Sequence, residues 1–297
     1  MKLQYAILLV LLTAALTTGC GSSVGDANVT ENAPKINQQD EQAVIPPENC
    51  VIADDNYSNL QLADANTPVF DKRTLWERQE QGLTMELPEI KPYHSEKIAY
   101  LTFDDGPDNK NTPAILDVLK NYGVHATFYV CGNMVEANPN VLKRIYAEGH
   151  AIGNHSYNHK YNELYPSATA FLVQIANTDE IIHEVIGVRP LTIRTPGGRV
   201  GMWTADYPPM MKACGYVEHD WNVSCEDATA QRPNPQQIIA NIDWQTNSGF
   251  KDNAAIILMH CNEGKENTVS ALPAVIELLV NKGYKFGVVT PMTPQPW

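Results

Sequence analysis

Seven apolar stretches, several of them rich in β-branched residues, alternate with helical patterns along the last two-thirds of the chain. The spacing predicts strands at Ile98–Phe103, Ala126–Cys131, Ala151–Asn154, Leu191–Arg194, Tyr216–Val223, Ala254–His260 and Tyr284–Thr290. Three helices between them have readable ends, at Thr112 to Gly123, Pro139 to Gly149 and Val269 to Gly283. This alternation predicts an α/β fold with a parallel sheet, either closed as a barrel or open and doubly wound.

The N-terminus has the pattern of a targeting segment. A single Lys2 precedes an apolar run from Ala6 to Leu16, which is too short to span a membrane comfortably as a mature helix. The run continues as Thr-Thr-Gly-Cys and resembles a bacterial lipoprotein signal, although Thr17 stands where an aliphatic residue is usual. We therefore expect residues 1–19 to be a signal peptide and Cys20 to carry lipid. An ordinary secretory signal is the alternative, and both interpretations predict export.

The segment after Cys20 is acidic and poor in apolar residues. From residue 21 to 66 its acids face a single base, Lys35, and Tyr57 is its only aromatic residue. Such a composition cannot bury enough apolar surface to fold alone. We therefore expect residues 20–70 to be a disordered tether.

A short helix is predicted between the tether and the main domain. The sequence DKRTLWERQEQG, within residues 71–95, has a capping pattern and could dock through Leu75 and Trp76. The catalytic domain is expected to span residues 96–297.

Composition and charge exclude some partners. The chain is 43% hydrophobic and 19% charged, as ordinary globular proteins are. Its net charge of −13 argues against nucleic acid and against electrostatic docking on anionic lipid, so membrane attachment would come from lipid on Cys20. We expect a monomer.

Besides Cys20, the chain has an odd number of cysteines without the spacing of a zinc site. At least one must be free or paired between chains, and the simplest interpretation for most is a small buried thiol. These cysteines are Cys50, Cys131, Cys214, Cys225 and Cys261.

Polar residues stand at the ends of the predicted strands. Asp104 and Asp105 end the first, His155 follows the third, and Arg194 and His260 end the fourth and sixth. In a parallel barrel the carboxyl ends of the strands converge on one face, where such enzymes keep their chemistry. Residues far apart in sequence are therefore expected to meet there.

Two adjacent aspartates repel each other, and a divalent cation would relieve that repulsion. Alone, Asp-Asp-Gly-Pro suits a turn of solvated acids, and His155 and His159 suit a capped loop. Together they form a His-His-Asp set with an open position, which suits a hydrolytic Zn²⁺. The second aspartate is then free to take a proton from the attacking water.

The motifs TFDDGP, HSYNH, RTPGG and LMH, in this order, resemble those of the NodB-like polysaccharide deacetylases, carbohydrate esterase family 4. The likeness runs from about Glu96 to the C-terminus and implies a distorted (β/α)7-type barrel. It implies one divalent cation on Asp105, His155 and His159, with Zn²⁺ favoured and Co²⁺ or Mn²⁺ as alternatives.

The resemblance also implies roles for the remaining motif residues. Asp104 would be the general base, Arg194 its orienting partner and His260 the general acid. The N–H of Gly197 would hold the oxyanion, and Leu258 would line the acetyl pocket.

An aspartate that tunes the general acid aligns with Asp227, with Asp220 and Glu226 as alternatives. The chain departs from the family pattern at three positions. Gly197 replaces an aromatic residue, Ala228 a tryptophan and Cys261 a common aspartate. The first two departures would remove apolar walls from the acetyl or sugar subsite.

These observations predict an exported hydrolase on the outer face of the cell membrane, or secreted. It would remove N-acetyl groups from N-acetylhexosamine units of a surface polysaccharide, with peptidoglycan favoured because the tether would hold the domain near the wall. One alternative is an O-acetyl-xylan esterase or a chitin deacetylase using the same site. The other is an inactive glycan-binding lipoprotein, against which the retention of Asp104 and His260 argues.

Overall fold

The computed structural model describes residues 44, 46–93, 96–250 and 253–296, and it contains two sheets. The strands are β1 (Val51–Ala53), β2 (Val69–Asp71), β3 (Ile98–Gly106), β4 (Thr127–Val130), β5 (Ala151–Asn154), β6 (Arg189–Pro190), β7 (Thr192–Ile193), β8 (Val217–Glu218), β9 (Val223–Ser224), β10 (Ala254–His260) and β11 (Lys285–Gly287).

Helices connect most of these strands, as the sequence pattern predicts. They are α1 (Leu75–Glu80), α2 (Asn111–Tyr122), α3 (Gly132–Ala137), α4 (Pro139–Ala147), α5 (Tyr161–Leu164), α6 (Ala168–Ile186), α7 (Tyr207–Ala213), α8 (Pro235–Gln245) and α9 (Glu266–Asn281), with a 3-10 helix at Leu60–Leu62. Gly123 ends α2 in the left-handed conformation, at φ 63°, which a glycine adopts without a Cβ penalty.

The main sheet is parallel and curls back on itself. Its strands follow the order β8-β7-β5-β4-β3-β10-β9, and β11 pairs with the first half of β3. The end strands β8 and β9 are joined by only His219 to Asn222, a link that extends at most about 18 Å. Because the two ends of a seven-strand path stay that close, the sheet must curve as a barrel does. The barrel-type α/β prediction is confirmed.

One predicted strand is wrong. The run Tyr216–Val223 forms two short strands, and Val217–Glu218 and Val223–Ser224 lie at opposite ends of the sheet path. The residues between them, including His219 and Asp220, cross from one edge to the other. The sequence pattern does not reveal such a crossing, because both halves have β-branched residues typical of strands.

The prediction of a disordered tether is wrong for Val51–Phe70. Strand β1 pairs in parallel with β2, and β2 pairs antiparallel with β6, so this segment belongs to the second sheet. Tyr57 and Leu60 are fully buried, and Val44–Trp297 forms one compact unit. The composition argument fails because the segment packs on the rest of the protein instead of folding alone.

The acids of this segment also have structural uses. Asp54 accepts hydrogen bonds from the N–H and hydroxyl of Ser58, and Asp64 accepts from Thr67. The short predicted helix is present as α1, with Leu75 buried and a capping box at Thr74. The predicted signal peptide, Cys20 and the first part of the tether lie outside the described residues.

Within the described residues, none of the helices has both the length and the apolar character needed to cross a membrane. The cysteines from Cys50 onward are free thiols, and all but Cys50 are buried. This agrees with their interpretation as small core residues.

Candidate active site

A bulge at the end of β3 brings both aspartates to the same side of the strand. Asp104 pairs with Tyr129 of β4, but the next pair is Gly106 with Val130, so Asp105 is an extra residue. Asp105 also has a φ of 70°, which is unusual for a residue with a side chain. Successive side chains of a regular strand point to opposite faces, and the bulge breaks that alternation. As a result, both carboxylates lie near one imidazole.

That imidazole belongs to His155, which directly follows β5. Its Nε2 lies 3.5 Å from Oδ1 of Asp105 and 3.8 Å from Oδ2 of Asp104. Its Nδ1 lies 2.8 Å from the carbonyl oxygen of Arg194. A carbonyl only accepts, so Nδ1 carries the proton and the lone pair of the neutral ring is on Nε2. Burial lowers the pKa of His155 to about 3, which keeps the ring neutral.

His159 approaches the same carboxylate from the loop before α5. Its Nε2 also lies 3.5 Å from Oδ1 of Asp105, and its backbone N–H donates to Oγ of Ser156. Ser156 and His159 have φ values of 105° and 57°. Non-glycine residues in such conformations cost energy and concentrate at functional sites. Three of them, including Asp105, surround this point.

Asp105, His155 and His159 fit a divalent cation. Their donor atoms lie within 4.8 Å of one another, and Oδ1 of Asp105 is buried with no hydrogen-bond partner in the described part of the chain. Two imidazoles and a carboxylate oxygen thus face one point, and at least His155 presents a lone pair there. Such a cluster of acceptors is unfavourable unless a positive ion lies between them.

Arg194, which follows β7, holds the other aspartate in place. Its Nη1 donates to Oδ1 of Asp104 at 2.9 Å and to Oγ1 of Thr102 at 2.6 Å. Its Nε donates to the carbonyl of His219 at 2.9 Å. Burial raises the pKa of the Asp104 carboxyl, although the positive charge of Arg194 opposes that shift. Asp104 is therefore a fixed carboxylate with a raised proton affinity.

His260, at the end of β10, is paired with a different carboxylate. Nδ1 of His260 lies 2.6 Å from Oδ1 of Asp227, and the backbone N–H of His260 donates to Oδ2 at 2.9 Å. Oδ2 also accepts from the hydroxyl of Thr268 at 2.7 Å. Burial alone would lower the pKa of His260, but the hydrogen bond and charge of Asp227 and the charge of Asp104 raise it. The acid form therefore persists to higher pH than in a free histidine.

The sequence left three candidates for this carboxylate, and the structure places only Asp227 against His260. Asp220 instead accepts the backbone N–H of Arg199, and Glu226 is exposed. Thr268 was not anticipated, because a threonine in α9 carries no sequence signal that connects it to Asp227.

Leu258 lies on β10 with His260, and Gly197 follows Arg194 by three residues after β7. Leu258 precedes His260 by two residues on β10, so it shares a face with His260 and with its strand partner Thr102. Gly197 lies in a turn closed by the N–H of Gly198 donating to the carbonyl of Thr195. Its φ of 79° favours glycine. The structure thus brings all the predicted site residues to one end of the sheet.

Comparison with known proteins places this site in a family. A family model described as polysaccharide deacetylase matches residues 91–219. A peptidoglycan-N-acetylglucosamine deacetylase of Bacillus cereus is 34% identical over 201 residues, which are 66% of this chain and 67% of that protein. The chain belongs to the polysaccharide deacetylase family.

Solved structures agree with this membership. A CE4 esterase of Streptococcus mutans has a TM-score of 0.62 and 30% identity, covering 71% of this polysaccharide deacetylase and 94% of that chain. The catalytic domain of a peptidoglycan N-acetylglucosamine deacetylase from Eubacterium rectale has a TM-score of 0.62 and 33% identity, over 70% and 95% of the two chains.

Proposed function

We propose that the protein removes N-acetyl groups from N-acetylglucosamine units of peptidoglycan. The relatives named above support this substrate. The observation that carries the proposal is that two side chains beside the candidate cation site, Asp104 and His260, are each held in place by a partner. Asp104 is fixed by Arg194 and His260 is fixed by Asp227, so a base and an acid flank one point.

We propose that Asp105, His155 and His159 hold one divalent cation. Zn²⁺ is favoured over Co²⁺ and Mn²⁺, because two imidazoles and one carboxylate with an open position form a common catalytic zinc set. A bound cation supplies Lewis acidity, which polarises the acetyl carbonyl and lowers the pKa of water.

Asp104 and His260 carry out different proton transfers. Asp104 accepts the proton of the attacking water, and its raised pKa makes it a better base near neutral pH. The backbone N–H of Gly197 donates to the oxyanion of the tetrahedral intermediate, and Leu258 contacts the acetyl methyl. Protonated His260 then gives its proton to the leaving amine, so that acetate and a glucosamine unit result.

Asp227 keeps that acid charged and oriented. One carboxylate oxygen pairs with the His260 ring. The other accepts from the backbone N–H of His260 and from the hydroxyl of Thr268. A merely glycan-binding protein would have no use for such a pair, which favours an enzyme over the inactive lipoprotein. Ester hydrolysis on acetylated xylan can use the same groups and is the second candidate, since one structural neighbour is a CE4 esterase.

We also propose that the protein acts outside the cytoplasm, bound to the membrane through lipid on Cys20. The relatives named for peptidoglycan support export. Radiolabelled palmitate incorporated into the wild-type chain but not into a Cys20→Ala chain would support the anchor, and a label that survives the substitution would contradict it.

The activity is tested by acetate release from peptidoglycan, chitin oligomers and acetylated xylan, with the chelated protein reconstituted with Zn²⁺, Co²⁺ or Mn²⁺. Release from peptidoglycan above the other two supports the proposal. Release from xylan alone would support the esterase, and glycan binding without release would support the inactive protein.

His155→Ala tests the cation site. Removing one of three ligands should lower the cation affinity at least about tenfold, and zinc analysis after dialysis measures it. His183→Ala is the control, because His183 lies outside the cluster and its ring contacts the Lys72 carbonyl. Full zinc content in His155→Ala would contradict the proposed ligand set.

A further inference from the structure

Tyr161 fills the space beside Gly197. A Cβ built on Gly197 would lie 2.5 Å from Oη of Tyr161, which is closer than real contacts allow, and 3.2 Å from its Cζ, which is a tight contact. The phenol therefore occupies the volume that a side chain at position 197 would need. Gly197 is the residue whose N–H is proposed to face the oxyanion, so Tyr161 borders the point where the acyl group would react.

The Tyr161 ring also packs beside a proposed cation ligand. The centroid of the Tyr161 ring lies 5.5 Å from that of His159 and 5.6 Å from that of Tyr165. Tyr165 is itself anchored, because its hydroxyl donates to the carbonyl of Pro196 at 2.5 Å. Tyr161 is the first residue of α5, only two residues after His159, so its backbone is fixed by the same loop.

The ring is thus held between the His159 loop and the turn that contains Gly197. It is nevertheless 43% exposed, whereas Tyr165 is half-buried and Phe171 fully buried behind it. A large aromatic side chain that is held on two sides and open on a third is suited to contact a ligand.

We propose that Tyr161 is a specificity-determining residue that closes the acyl subsite next to Gly197 and restricts it to acetyl-sized groups. The inference rests on the proposed function for the position of the reacting acyl group. It assigns to a residue of α5 the apolar wall that Gly197, having no side chain, does not supply.

The test compares acyl chain lengths on the zinc-loaded protein. The substrates are nitrophenyl acetate, propionate and butyrate, which require no glycan. Tyr161→Ala should raise the ratio of kcat/KM for butyrate to that for acetate by about tenfold or more, because each methylene in a pocket changes binding by about 10- to 200-fold. Tyr161→Phe keeps the ring and should keep the wild-type ratio.

Tyr122→Ala is the matched control. Tyr122 is 39% exposed, at the end of α2, and its hydroxyl donates to Glu277 on α9. The substitution should leave the ratio unchanged. An equal loss of activity on every chain length in Tyr161→Ala would indicate a structural role and overturn the proposal, as would an increased ratio in Tyr161→Phe.

A second measurement does not depend on turnover. In the Co²⁺-loaded protein, the visible absorption of the ion reports the binding of acetate and butyrate. Tyr161→Ala should improve the affinity for butyrate relative to acetate, and an unchanged ratio would overturn the proposal. If the wild-type protein releases no acetate from any glycan, the proposed function fails, whereas the binding ratio still decides the role of Tyr161.

Discussion

Two groups of buried charged residues meet at Asn154, and they differ in how completely they are paired. Asn154 donates to Asp179 at 2.7 Å, and the next residue is His155. On the Asp179 side lies an ion cluster that we call the inter-sheet cluster. It consists of Asp71, Arg78, Asp179 and Arg189, with Tyr57 and Tyr216.

The charged side chains of the inter-sheet cluster are buried and paired with one another. Its four charged side chains have no exposed area, and Arg78 donates to both oxygens of Asp71 and to the carbonyls of Asp54, Asp55 and Thr84. Every N–H of the Arg78 guanidinium therefore donates a hydrogen bond. The cluster ties the N-terminal segment, through β2 and α1, to Arg189 of β6.

The active-site group is not fully paired. Asp105 retains a buried oxygen without a partner in the described residues, and its own backbone and that at Ser156 and His159 have positive φ values. Buried charge alone is thus a poor sign of function, since both groups have it. An unpartnered acceptor in strained backbone distinguishes the site, because only a ligand compensates for it.

The largest effect is expected from Asp104→Asn. The amide cannot take the proton of water, so kcat should fall by about 10²- to 10⁴-fold. Zinc content should stay at the wild-type level, because Asp104 is not a proposed ligand. Acetate release and metal analysis on the same sample measure both, and turnover near the wild-type rate would remove Asp104 as the base.

Arg78→Ala should instead damage stability. Removing one partner of a buried ion pair leaves Asp71 uncompensated and should lower the free energy of unfolding by about 3–5 kcal/mol. Turnover per folded molecule should stay unchanged. Urea unfolding and kinetics at low temperature separate the two effects.

Arg73→Ala is the matched control for Arg78→Ala. Arg73 pairs with the half-exposed Asp55 at 3.3 Å, so its loss should cost less than about 1 kcal/mol. A catalytic defect in folded Arg78→Ala would show that the inter-sheet cluster also serves catalysis. It would contradict a purely structural role for that cluster.

A smaller effect is expected from Asp227→Asn. Loss of the charged hydrogen bond should lower kcat by about 10- to 100-fold. Because Asp227 raises the pKa of His260, its neutral replacement should lower that pKa, so activity should decline at a lower pH on the alkaline side. A pH–rate profile tests this.

Glu226→Gln is the control for Asp227→Asn, since Glu226 is the adjacent, exposed carboxylate. It should leave both the rate and the profile unchanged. If Glu226→Gln shifted the alkaline limb of the profile and Asp227→Asn did not, the assignment of Asp227 as the partner of His260 would be wrong.

Much of the fold and the site could be predicted because local patterns set them. Apolar runs rich in β-branched residues and terminal Pro and Gly residues located most strands and helices, and the polar residues at strand ends indicated where the catalytic residues would meet. The folded Val51–Phe70 segment escaped prediction, because its few apolar residues form a core only together with residues such as Leu191 and Met292, which lie far away in the chain.

The sequence by itself determined which residue types are present for the reaction: two adjacent carboxylates, two histidines four residues apart, an arginine and a further histidine. Tertiary structure alone decided how they are used. The bulge at Asp105 turned both carboxylates to one side, and the approach of β10 to Asp227 selected one acid among three. These outcomes depend on strand register and long-range packing, which no local pattern of residues encodes.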